Sequence, residues 1–133
     1  MTCPGSPGRF RWIICALLFA ATTINYMDRQ VLGILAAPLQ RDLRWSEAEY
    51  GYIVTAFSAA YAIGQVAVGW LIDRLGTRAG YALALGVWSL AAAAHGAARS
   101  ALQFGIARFA LGLGEAGNFP AAVKTVTEWF PKR

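Results

Sequence analysis

Gly69-Trp70-Leu71-Ile72-Asp73-Arg74-Leu75-Gly76-Thr77-Arg78 is a charged stretch set between two long apolar runs, roughly Tyr50 to Ile72 and Ala79 to Ala98. Each run is long enough to cross a bilayer core, which takes about 20 residues. The stretch therefore reads as a tight loop between membrane helices. It contains Arg74 and Arg78, and no lysine or arginine lies between Arg44 and Arg74. By the positive-inside rule the loop faces the cytoplasm. The arginines suit the negative end of a helix dipole, whereas Asp73 opposes it. A carboxylate set against its own helix implies a partner elsewhere.

The pattern Gly69-x-x-x-Asp73-Arg74-x-Gly76-x-Arg78, placed after the second hydrophobic span, resembles the signature loop of the major facilitator superfamily of transporters. Composition agrees with a membrane chain. Of the 133 residues 57% are hydrophobic and 14% charged, a balance richer in apolar and poorer in charged residues than an ordinary soluble domain. The net charge of +5 does not point to nucleic acid, because the basic residues fall at the edges of hydrophobic spans and not on one polar face. Cys3 and Cys15 have neither metal nor disulfide spacing.

Residues 1–11 form a short cytoplasmic tail, rich in Gly and Pro and ending in Arg9 and Arg11. The apolar run that follows continues past Leu32 with no small-residue cleavage site, so it is an uncleaved membrane helix and not a signal peptide. This first helix is expected from Trp12 to Leu35, with Pro38 helping to end it and a short polar segment from Leu39 to Trp45. Ser46-x-x-Glu49 is a capping box that starts helix two near Glu47. Small residues such as Ser58, Ala59, Ala60 and Gly64 let another helix approach it closely. Helix three centres on Trp88 and ends in a turn holding His95, Gly96 and Arg99, with His95 expected in solvent. Ser100-x-x-Gln103 opens helix four, which bends at Pro120 and closes near Trp129-Phe130-Pro131.

Four spans put the N-terminus, the Asp73 loop and Lys132-Arg133 on one side. That side holds Arg9, Arg11, Arg74, Arg78, Lys132 and Arg133 against Arg41, Arg44 and Arg99 on the other, which makes it cytoplasmic. Trp12, Trp70 and Trp129 fall at the same interface, as an aromatic belt does. The expected fold is thus all-α and polytopic, with four transmembrane helices over residues 12–133.

Asp28, Arg29, Arg108 and Glu115 lie within the spans. Each would cost about 2.5 to 3.5 kcal/mol facing lipid, so they must face one another or a water-filled cavity. Arg108 and Glu115 are two helical turns apart and share a face, on which Gly112 is expected to leave open space for a pocket. Asn25 sits four residues before Arg29 and three before Asp28, gathering an amide, an acid and a guanidinium. Tyr26, Tyr61, Gln65 and Asn118 either join the site or only tie helices together. Lys124 and Glu128, one turn apart, are expected to pair with each other or snorkel.

Asn25-Tyr26-x-Asp28-Arg29, together with Arg108-x-x-x-Gly112-x-x-Glu115-Ala116, Pro120 and Glu128-Trp129-Phe130-Pro131, resembles the anion:cation symporter family of that superfamily, and within it the bacterial hexuronate and sugar-acid transporters. The resemblance implies an N-terminal fragment of a carrier in the bacterial inner membrane, not an enzyme, with no metal or cofactor. It implies proton-driven symport of an organic anion by alternating access. Arg29 would bind the substrate carboxylate, aided by Tyr61 and by Tyr26, Asn25, Gln65 and Asn118. Asp28 and Glu115 would carry protons, with Arg108 tuning Glu115, and Gly69, Asp73, Arg74, Gly76 and Arg78 would form the conformational loop. Chemistry agrees: arginine offers a two-pronged carboxylate clamp, and a carboxyl in a low-dielectric cavity responds strongly to a nearby arginine. A complete carrier of this kind has two six-helix halves, so further helices of the same carrier would supply the second cavity wall and the partner of Asp73.

Two other classes fit four short spans. A small multidrug exporter would bind lipophilic cations, which Arg29 and Arg108 would repel. A membrane anchor of a respiratory enzyme would want haem-ligating histidines inside the spans, where His95 alone is a poor axial ligand.

Overall fold

A computed structural model describes residues 7–130. The tail residues 1–6, with Cys3, and Pro131, Lys132 and Arg133 lie outside the described residues. The chain is all-α, in the order α1 (Pro7–Leu43), α2 (Glu47–Leu75), α3 (Thr77–Ala97), α4 (Ala101–Ala116) and α5 (Asn118–Trp129). Helices α1 and α2 are each long and apolar enough to span a membrane.

The first helix runs through Pro38 and ends eight residues beyond the expected Leu35. Proline removes one backbone hydrogen bond from a helix interior. Tertiary packing overrides that loss, because Leu39 and Leu43, beyond the proline, pack on a cluster of Leu32, Trp45, Ile53 and Phe104. The helix stops at Arg44, whose φ of +54° is left-handed. The Trp45 N–H donates back to the Gln40 carbonyl at 3.1 Å, closing a left-handed cap. The Ser46 capping box is present as expected, with Ser46 Oγ accepting from the Glu49 N–H and the Glu49 carboxylate accepting from the Ser46 N–H at 2.8 Å.

The ten-residue loop around Asp73 is almost entirely helical. Only Gly76 separates α2 from α3, and its φ of +82° and ψ of 159° lie in a region open essentially to glycine alone. His95 and Gly96 belong to α3 and not to the following turn. His95 is half-buried, with Nδ1 2.7 Å from the Ala91 carbonyl and its ring edge-on to Phe104 at 4.7 Å, so the expectation of a solvated residue is corrected. At the second capping sequence Ser100 Oγ accepts from the Gln103 N–H, but Gln103 reaches the N–H of Arg99 and not that of Ser100.

The fourth run is two helices, broken at Gly117, three residues before Pro120. Proline as the third residue of α5 disturbs nothing, since the first N–H groups of a helix lack intrahelical partners anyway.

Helix α4 is the centre of the bundle, packing most extensively on α2 and next on α3, whereas α1 makes few contacts along its length. The start of α1, the Gly76 turn and the end of α5 gather at one end. The Phe10 and Trp129 rings pack in a tilted arrangement with centroids 5.5 Å apart, and Thr77 Oγ1 donates to Glu128 at 2.5 Å. Trp12, Trp70 and Trp129 are all exposed at this end.

Candidate functional site

Arg29 lies on α1 immediately after Asp28, and one helical step turns the two side chains about 100° apart. Arg29 turns toward α2 and α4. Its Nε donates to Glu115 Oε2 at 3.2 Å and its Nη2 to Asn25 Oδ1 at 3.2 Å. The guanidinium lies over the Tyr61 ring at 4.2 Å, with the Tyr26 and Phe57 rings at 5.5 and 5.7 Å. A cation so placed gains about 0.5 to 2 kcal/mol from a ring face. Arg29 keeps 26% of its side chain exposed, whereas Glu115 has none exposed. The arginine is therefore a positive group with an open side, anchored to a buried acid.

Asp28 turns instead toward α3, where its Oδ2 accepts from Trp88 Nε1 at 2.7 Å. Arg108 on α4 is buried, lies 5.3 Å from the Phe57 ring centroid and makes long contacts of 3.4 and 3.5 Å to the backbone carbonyl of Asp28. The four charges are thus gathered, as expected, but they pair across helices. Glu115 is bound by Arg29 and not by Arg108, which reaches the Asp28 backbone instead.

The glycine face of α4 is not open. A Cβ on Gly112 would come within 2.7 Å of the Phe57 carbonyl oxygen, and one on Gly114 within 2.7 Å of the Trp88 nitrogen. These glycines admit the backbones of α2 and α3, and a Cβ on Gly117 would likewise meet Val68 and Ala84. The expectation of a pocket beside Gly112 is corrected: the space at Gly112 is filled by α2, and the cleft that Arg108 borders lies between α1, α3 and α4.

Asn25 is buried beside Arg29, its Nδ2 without a hydrogen-bond partner among the described residues, and Tyr26 is exposed. Gln65 is half-buried, one turn from Tyr61 on α2. Asn118 stands apart from Arg29 in a separate bridge, accepting from the Tyr81 hydroxyl at 2.7 Å and donating to Thr22 Oγ1 at 3.3 Å. Two contributors were not foreseen as part of the site. Phe57, which lies between the two arginines, was legible as the residue one turn before Tyr61. Trp88 was legible as the one aromatic N–H donor in the Ala- and Leu-rich third run.

In the Gly76 turn, Asp73 pairs with Lys124 at 2.8 Å. That corrects two expectations, since Asp73 finds its partner within these helices and Lys124 does not pair with Glu128. Arg74 lies over Trp70 at 4.3 Å.

A family model described as Major Facilitator Superfamily matches residues 18–133. The chain is 38% identical to a protein of Pseudomonas putida named probable galactarate/D-glucarate transporter, over 94% of this chain and 29% of that protein. It is 37% identical to the galacturonate transporter of Dickeya chrysanthemi, over 92% of this chain and 36% of that one. It is also 37% identical to the hexuronate transporter of Escherichia coli strain K12, over 92% and 28% respectively. The chain thus spans between 28 and 36% of the length of these relatives.

Proposed function

This chain belongs to the major facilitator superfamily, and from that membership we propose that it forms part of a proton-coupled symporter that takes up an organic anion, a hexuronate or related sugar acid, by alternating access. It is an integral membrane protein and not an enzyme. Family membership sets aside the small multidrug exporter and the haem-bearing anchor. The relatives' names support the substrate class, and the positive-inside count supports a cytoplasmic N-terminus in a bacterial inner membrane.

One observation carries the reading: Arg29 presents a partly open guanidinium while its Nε holds the fully buried Glu115. A substrate carboxylate competes for that guanidinium through a two-donor fork. When it does, Glu115 loses its counter-charge, and an unpaired buried anion is strongly unfavourable. Glu115 takes up a proton instead, so that anion and proton travel together. Tyr61 and Tyr26 flank the clamp and offer hydroxyls to the sugar, Asn25 orients Arg29, and Gln65 lies one turn further along the same face. Asn118 supports the site through the α1–α3–α5 bridge. Asp28 is the second proton carrier, held by Trp88, and Arg108 sets the field between the two acids.

Arg29→Lys tests the clamp. Lysine keeps the charge but loses the planar fork and the stacked geometry over Tyr61. In the complete carrier, binding of radiolabelled galacturonate is expected to weaken about tenfold or more, the cost of one charge-assisted hydrogen bond. Unchanged affinity would remove Arg29 from the clamp role.

The Gly76 end is the conformational latch. Asp73 is exposed and its pair with Lys124 contributes at most about 1 kcal/mol to stability. Asp73→Asn should accordingly leave thermal stability and substrate binding nearly unchanged and slow the transport cycle. A fall in equilibrium binding with an unaltered turnover of bound substrate would refute the latch.

A further inference from the structure

Two clefts share Asp28 in their walls, and Trp88, its hydrogen-bond donor, lines the first of them. The cleft toward the Gly76 end has a volume of about 670 Å³ and is walled by Ile14, Leu17 and Leu85, among others. Its Tyr81 and Thr125 hydroxyls already donate to Asn118 and to the Ala121 carbonyl. The cleft toward the opposite end, where α1 finishes and α3 meets α4, has a volume of about 310 Å³. Asp28, Leu32 and Leu39 of α1, His95 of α3, and Phe104 and Arg108 of α4 border it.

The second cleft differs in chemistry. His95 Nε2 and Arg108 Nε are both buried and have no hydrogen-bond partner among the described residues, and both residues border this one cleft. The Ala91 carbonyl can only accept, so Nδ1 of His95 carries its hydrogen. Nε2 of the neutral ring is then a bare acceptor, complementary to the donor Nε–H of Arg108. Buried polar atoms left without protein partners are the usual anchors of internal water, and about 310 Å³ has room for roughly ten molecules at liquid density. The cleft on the Gly76 side has no such orphan atom among its described lining residues.

We propose that the α1–α3–α4 cleft is a hydrated chamber that delivers protons to Asp28 from the end opposite the Gly76 turn, and that His95 is the positioning residue that holds its water. The proposal rests on Asp28 as a proton carrier. The charged or titratable groups facing His95 across the cleft are Asp28 from α1 and Arg108 from α4. A hydronium at the mouth of the cleft gives its proton to the neighbouring water. Each water along the file accepts one proton and passes one on, and the last protonates the Asp28 carboxylate oxygen not bound by Trp88. The number of waters is unchanged, and His95 stays neutral and only accepts a hydrogen bond.

The test compares His95→Gln, which restores a polar group in the cleft, with His95→Leu, which does not. In the complete carrier, hydroxyl-radical footprinting should label the buried Phe104 in the wild type and in His95→Gln, and lose that label in His95→Leu. In proteoliposomes with an imposed pH gradient, uptake of radiolabelled galacturonate should fall about tenfold in His95→Leu and recover in His95→Gln, the scale of one buried polar group deprived of its partner. An unlabelled Phe104 in the wild type, equal labelling in His95→Leu, or failure of the Gln variant to restore uptake would overturn the chamber. A wild-type carrier without pH-driven galacturonate uptake would instead overturn the proposed symport, while the footprint still decides the chamber.

Discussion

In proteoliposomes with an imposed pH gradient, Glu115→Gln is expected to abolish uphill accumulation of substrate while substrate binding and counterflow exchange persist. Glu115 is fully buried, and Arg29 is its one hydrogen-bonding partner among the described residues. The other carboxylate oxygen, Oε1, has no partner among them. Glutamine keeps a carbonyl oxygen to accept from Arg29 Nε, so Arg29 stays oriented. What it removes is the alternation between charged and neutral forms by which, in the proposed symport, Glu115 would couple the proton to the anion. Exchange of preloaded for external substrate requires no net proton movement and should survive. Wild-type accumulation in the variant would make Glu115 a structural ion-pair partner and pass proton coupling to Asp28.

The second large effect is one of assembly. Gly114→Val should destabilise the bundle and cost transport together with it. A Cβ at residue 114 would stand 2.7 and 2.9 Å from the backbone N and Cα of Trp88. Backbone cannot yield by changing rotamer, so α3 must move away from α4. Overpacking of this kind costs about 1 to 3 kcal/mol or more. The movement would also pull Trp88 Nε1 from the Asp28 carboxylate, which it holds at 2.7 Å. Gly86, on the same α3, has nothing within 4 Å of its Cβ position. Gly86→Ala should be neutral or stabilising by up to about 1 kcal/mol, as expected for alanine in an open helix position. Thermal unfolding of the detergent-solubilised carrier followed by tryptophan fluorescence separates the two. Equal midpoints for both variants would show that the α3–α4 contact at Gly114 is not close.

The corrections at the site share one cause. Arg108 and Glu115 lie on one face of one helix, and spacing alone suggests that they belong together. The fold gives Glu115 to Arg29 and leaves Arg108 at the Asp28 backbone. Asp73 and Lys124 are 51 residues apart and meet only because α4 and α5 carry the chain to the end that holds the Gly76 turn. The glycines of α4 were read as open space, yet a missing side chain in a helix serves equally to admit a neighbouring backbone, and here it does.

Sequence alone determined the features that depend on one helix at a time. Long apolar runs meant an all-α membrane protein, Ser46-x-x-Glu49 set the start of α2, Gly76 allowed the turn, and the expense of charge in lipid meant that Asp28, Arg29, Arg108 and Glu115 had to be sheltered. Tertiary structure decided which of them pair, that Trp88 and Phe57 join them, that α1 passes through Pro38, and that His95 faces a cleft. Periodicity specifies which residues share a face of one helix but not the rotation and depth of that helix against its neighbours. Those are set by side-chain packing among α1, α2, α3 and α4, which a pattern along one chain does not encode.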